Sequence, residues 1–206
     1  MRAANETMTM PKKCSLPALL LLVAACWPAS AGGQVAEKVL TYSISGRTGP
    51  ELYSSIGDHG PVVGGARAIA HTTFDLKWSR KYEKRGRACV LAAAKPWLTI
   101  TYTVPKPAGH LPEAVQGRWD TFAAGILAHE KVHGDTIKAM VTEIEGFSVG
   151  FTVENDPGCS RIRQELTTRL KAASDAQRRQ GRDFDREEFR AGGNMQRLIL
   201  ALVNGG

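Results

Sequence analysis

The sequence predicts an α+β fold: a small antiparallel sheet, then a long helix that carries the chemistry, then C-terminal helices. Three observations lead there. Short runs of alternating residues, bounded by Gly, Pro or charged turns, crowd the chain up to Val104. A single apolar stripe with spacings of three and four then continues for about seven turns. Two further helical stretches follow it, with no internal repeat and no low-complexity tract. Strands gathered ahead of helices are the α+β order, not the alternation of an α/β chain.

The elements follow in chain order. Lys12 and Lys13 precede an apolar run from Leu16 to Ala25, and Ala29-Ser30-Ala31 offers a small-x-small cleavage site, so residues 1–31 read as an export signal. Val23-Ala24-Ala25-Cys26 also resembles a lipobox, which would lipidate Cys26 and give the protein its one route to a membrane. Residues 32–206 form one domain, large enough to bury a core. Strands are expected at Val39 to Ser45, Thr72 to Trp78, Ala88 to Ala93 and Trp97 to Val104, with a short helix from Gly49 to Gly57. Pro105 and Pro107 end the last strand. Trp119, Phe122, Ile126, Ile137, Met140, Val141 and Ile144 mark the long helix, expected from about Leu111 to Glu145. Gly117 and Gly125 each cost it about 1 kcal/mol against alanine, which makes either a natural place for a bend. A second helix, capped by Ser160 or Asp156, runs from about Arg161 to Gln180 and is broken by Gly181. Met195 to Val203 forms a last apolar helix.

Charge and cysteines narrow the class. Loss of residues 1–31 removes Arg2, Lys12, Lys13 and Glu6 and lowers the net charge from +7 to +5. The basic cluster from Lys77 to Arg87 is interrupted by Trp78, Tyr82 and Glu83 and reads as a strand end and solvated hairpin; with export, nucleic acid is not an expected partner. Cys14 leaves with the signal and Cys26 leaves or is lipidated, which isolates Cys89 and Cys159. In a periplasmic or extracellular setting they are most simply a disulfide, since the close C-x-x-C spacing of a metal site is absent.

The chemistry centres on His129-Glu130-Lys131-Val132-His133. At 3.6 residues per turn the two histidines project from one face, where both can reach a single Zn²⁺. Glu130 then stands beside the metal, where a general base for an activated water belongs. The extended H-E-x-x-H-x-x-G-x-x-H form is absent, because Thr136 and Ala139 occupy its glycine and third-histidine positions. The third ligand is therefore a distant group, and Asp185, Glu165, Glu154, Glu188, His59, His71 and His110 are the candidates.

With these motifs the chain resembles DUF922, a bacterial family described as predicted secreted zinc-dependent proteases. The resemblance covers roughly Leu40 to Phe189. It rests on the strand ending at Trp78, Cys89, the Leu98 to Val104 strand, Trp119 and Phe122, the H-E-x-x-H run, Cys159, and Phe184-Asp185. It implies a zincin-like domain and, by its aromatic-Asp pair, makes Asp185 the first choice for third ligand. The chain departs from the family where a Thr-x-His-Gly run is often found: here it reads Arg186-Glu187-Glu188-Phe189-Arg190. The expected function is an exported, periplasmic or secreted, zinc metallopeptidase acting on a peptide or protein, with an exposed strand among Ala88 to Val104 holding the substrate by edge pairing. Two alternatives use the same residues: a zinc-containing binding protein without turnover, periplasmic or lipid-anchored, and an amide hydrolase acting on cell-wall material.

Overall fold

The computed structural model describes residues 33–205; the signal, the lipobox and Cys26 lie outside the described residues. In chain order the elements are β1 (Gln34–Ile44), α1 (Gly49–His59), β2 (Val62–Val63), β3 (Ala66–Arg67), β4 (His71–Arg85), β5 (Ala88–Pro107), α2 (Glu113–Ser148), β6 (Thr152–Val153), α3 (Arg161–Phe189) and α4 (Asn194–Asn204). The class is α+β, as expected.

The sheet is mixed, which corrects the antiparallel expectation. Its order is β1-β5-β4, with β6 also on β5. β4 and β5 form a long antiparallel hairpin turned at Gly86, whose φ of 63° suits a residue without Cβ. β1 instead runs parallel to β5, from Gln34 beside Trp97 to Ile44 beside Pro107. Alternation in a sequence records which faces a strand presents and carries no information about its direction. β5 is also one strand where two were expected. Pro96 falls between the segments paired with β6 and with β1, where a missing N–H is tolerated. The basic cluster does form the β4 end and hairpin, and Glu83 pairs there with Lys81 and Arg85.

The long helix runs from Glu113 to Ser148, and neither glycine breaks it. Gly125 has a packing reason: a Cβ there would stand 2.4 Å from Leu198 Cδ1 of α4. The two halves of α2 serve different cores. Trp119, Phe122 and Ile126 pack with Leu52 and Ile56 of α1 and Met195 and Leu202 of α4. Ile137, Met140, Val141 and Ile144 pack on Leu98, Ile100 and Tyr102 of β5. Residues 129–133 lie along the helix between the residues of these two clusters.

A third cluster surrounds the Cys89–Cys159 disulfide, whose Cα atoms are 5.3 Å apart. Closing a loop over a sequence separation of 70 contributes about 4 kcal/mol by the chain-entropy argument. The first turn of α3 is capped by Asp156, which is buried and accepts from the backbone N–H of Ser160 at 3.0 Å and Ile162 at 2.9 Å. From there α3 runs without interruption to Phe189, which corrects the expected break at Gly181. No helix among the described residues is long and apolar enough to cross a membrane.

Candidate metal centre

Helix pitch brings the two histidines together, and α3 brings the third group. His129 Nε2 and His133 Nε2 are 3.2 Å apart. Asp185 Oδ1 lies 2.9 Å from His133 Nε2 and 3.2 Å from His129 Nε2. Donor atoms around a tetrahedral zinc with bonds near 2.0–2.2 Å stand roughly 3.3 Å from one another, so this triangle is close to the size such an ion requires. Among the described residues it is the one cluster of His, Cys, Asp or Glu that could hold a metal.

The charges of the cluster respond to each other. Burial works to raise the Asp185 pKa, but the hydrogen bonds and charges of His129 and His133 outweigh it and hold the carboxyl far below its usual range. Burial likewise works to lower the His133 pKa, and the Asp185 hydrogen bond with the charges of Asp185 and Glu130 raises it instead.

Each group is held by packing that the sequence does not announce. Phe184 stacks on His129 with ring centroids 4.8 Å apart, and Phe189 meets the same ring edge-on at 5.6 Å. Gly181 is where α3 passes His133: a Cβ there would lie 3.4 Å from Nδ1, so the residue expected to end the helix instead stands against the site. Gly134 is where a missing side chain lets α2 approach β5, since a Cβ there would meet the Tyr102 hydroxyl at 2.1 Å. Gln177 of α3 donates to Thr136 of α2 at 3.1 Å beside the site.

Glu130 is buried at 6 % exposure. Its Oε2 accepts from the Thr72 hydroxyl of β4 at 2.5 Å, and the same hydroxyl lies 3.1 Å from the Glu130 carbonyl. Thr72 is a partner that sequence reasoning missed, because nothing local links a strand threonine to a helix 58 residues on.

His129 has a second loose end. Its Nδ1 is buried without a hydrogen-bond partner. If Nε2 faces a metal, Nδ1 carries the proton, and a buried N–H without an acceptor costs about 1–3 kcal/mol. The Glu188 carboxylate stands 3.7 Å away, held by a 3.1 Å hydrogen bond from Asn194 Nδ2 of α4. Glu188 is therefore behind the ring, outside the ligand triangle. The other ligand candidates are elsewhere or otherwise engaged. Glu165 is exposed and 3.5 Å from Arg161, Glu154 and His110 are exposed, and His59 bonds Ser55 at the end of α1. His71 lines the cleft but does not join the cluster.

The cluster opens on a cleft of about 660 Å³, with His71, Thr72 and Phe74 of β4 on one wall and Arg178, Arg182 and Asp185 of α3 lining it as well. The strand beside this cleft is β4, which has no second neighbour among the described residues; β5, where edge pairing was expected, is the central strand. The donor set and its spacing fit a metal with two imidazoles, one carboxylate and a direction open to the cleft, beside a buried carboxylate that is not a ligand.

Comparison with known proteins gives the family and no more. No curated protein matches the chain, and no solved structure matches it. Residues 39–193 match the family described as bacterial protein of unknown function (DUF922), a span that includes the histidines, Glu130, Asp185 and both disulfide cysteines. On that match, the chain belongs to the DUF922 family.

Proposed function

We propose that this protein is an exported zinc-dependent hydrolase of peptide bonds, with His129, His133 and Asp185 as metal ligands and Glu130 as general base. One observation carries the reading: three ligand atoms within 3.2 Å of one another at a cleft that also exposes a buried, non-ligating glutamate to substrate. A zinc ion held there would supply Lewis acidity for a substrate carbonyl and lower the pKa of a water toward 7.

The chain's own residues supply the rest. Thr72 occupies Glu130 Oε2 and leaves Oε1 without a protein partner among the described residues, so one oxygen is fixed and the other is free to take a proton. Glu130 accepts that proton from the attacking water and returns it to the departing amine. Phe184 and Phe189 shield His129 and keep the site apolar on that side. Export is supported by the disulfide, a bond that oxidising compartments keep.

Two imidazoles and a carboxylate also suit Fe²⁺, so the metal in freshly purified protein is to be identified by elemental analysis, with about one zinc per chain expected. Glu130→Gln then separates catalysis from a structural zinc. It preserves side-chain volume and the bond to Thr72 while removing the proton acceptor. Zinc content and Tm should hold, and turnover of an unfolded protein substrate should fall by about 10²–10⁴-fold. Equal turnover by both proteins rejects Glu130 as base, and absence of turnover from both supports the zinc-containing binding protein.

A further inference from the structure

The metal centre does not account for all the charge in its cleft. Both cleft carboxylates are engaged, Glu130 by Thr72 and Asp185 by the two histidines. The cleft arginines are not all matched. Arg178 is paired with Asp175 at 2.5 Å, but Arg67 of β3 donates only to the Gly60 carbonyl at 2.7 Å. Arg182 has no hydrogen bond, ion pair or aromatic partner among the described residues, although it is the cleft arginine nearest Asp185 in sequence.

Arg182 is exposed, and most other basic residues of its helix are engaged elsewhere. Along α3, Arg161, Lys171 and Arg186, and just past its end Arg190, each pair with a carboxylate three or four residues away. Arg163 and Arg169 lie over the rings of Tyr82 and Phe151. Arg179 also lacks a partner among the described residues, but it does not line the cleft. A bound Zn²⁺ would balance Glu130 and Asp185, which leaves Arg67 and Arg182 as net positive charge in a concave, partly apolar space where fields are focused.

Resting on the hydrolase reading of this cleft, we propose that it selects peptides carrying a carboxylate within one or two residues of the bond to be cut, received by Arg182 with Arg67 in support. The distance follows from the helix. Arg182 precedes Asp185 by three residues, a rise of about 4.5 Å, and an extended peptide advances about 3.3 Å per residue. The carboxylate can belong to a side chain or to a chain terminus, since a guanidinium fork accepts either.

The test uses zinc-loaded full-length protein carrying Glu130→Gln, so that substrates bind without being cut, and labelled peptides of one sequence with Glu, Gln or Lys at single positions. Each peptide is made with a free and an amidated C-terminus. Binding is read by anisotropy, and wild-type turnover is measured on the same set. Peptides with Glu at one position should bind about tenfold tighter than those with Lys, with Gln between. Arg182→Glu should erase or invert that order, whereas Arg179→Glu, the same charge change on the same helix outside the cleft, should preserve it. A preference carried by the free C-terminus instead identifies the chain terminus as the source of the carboxylate. Equal loss of preference in both variants, or none in the parent, overturns the assignment to Arg182. Uncharged selectivity with normal cleavage leaves the hydrolase reading standing alone; charge-selective binding with no cleavage by wild type leaves the carboxylate site standing without it.

Discussion

The candidate site is built from two halves of opposite origin. The α2 half, His129, Glu130 and His133, lies within five residues on one turn of a helix fixed by two hydrophobic clusters. The α3 half, Asp185 with Phe184 and Glu188 around it, arrives 52 residues beyond His133 on a second helix, near its C-terminal end. The first half is determined by helix pitch and the second by how α3 docks. Local geometry can therefore specify two ligands, while the third depends on the whole fold.

The strongest way to break this comparison is to remove the α2 half. His133→Ala should abolish retention of stoichiometric zinc after dialysis, since one imidazole and one carboxylate do not hold the ion. Metal retained by that variant, measured by elemental analysis, would refute the site as drawn. Asp185→Asn tests the α3 half. Its zinc Kd, measured by competition with a chelator, should rise on the order of a thousandfold, because a direct ligand is lost where an outer partner is worth about 10–100-fold. An unchanged Kd would assign the third ligand to another group.

A smaller effect sharpens the division of labour within α3. Glu188→Ala should weaken zinc by about tenfold by removing the negative charge 3.7 Å from His129 Nδ1, and Glu188→Gln, which keeps an oxygen there but not the charge, should recover only part of the loss. Equal binding by wild type and Glu188→Ala would make Glu188 a surface carboxylate. The smallest effect is in pH. A raised His133 pKa means that its contribution to stability is complete below the ordinary histidine value near 6.5 and is lost as pH rises through the raised one. A lowered Asp185 pKa means that its contribution is present above about 3.9 and is lost as pH falls through the lowered one. Metal-free protein should thus draw most from this pair between about pH 4 and 6.5 and melt a few degrees lower above it. Zinc-loaded protein should gain over the same upper range, as zinc competes with fewer protons. Parallel melting curves in the two forms would contradict the coupling.

What was legible in the sequence divides along the same line. The helical stripe, the five-residue motif and the pairing of Cys89 with Cys159 follow from spacing and elimination, and all three need only local or counting arguments. Asp185 came into view through family resemblance, since no spacing relates it to His133. Thr72 gave no signal, as its bond to Glu130 depends on tertiary placement. Gly181 misled for a physical reason: a glycine that ends a helix and one carried inside a helix held by its packing look alike until the neighbours are known. Strand direction was equally hidden, so the parallel β1 and the central position of β5 appeared only in the fold.

The unbroken course of α3 has a mechanical consequence. From Arg161, two residues after the Cys159 that is bonded to β5, to Asp185 the helix rises over 24 residues, about 36 Å of nearly rigid rod. A rod of that length would work as a lever: a tilt of about 2° at the disulfide end would displace the far carboxylate by about 1.3 Å, enough to open a metal triangle of this size. Ala173 and Gln177, which meet α2 along the way, and Phe184 and Phe189, which pack on His129 at the far end, limit that swing. A single oxygen atom is thus held in register by the stiffness of an entire helix, and slackness at its anchored end is magnified where the tolerance is smallest.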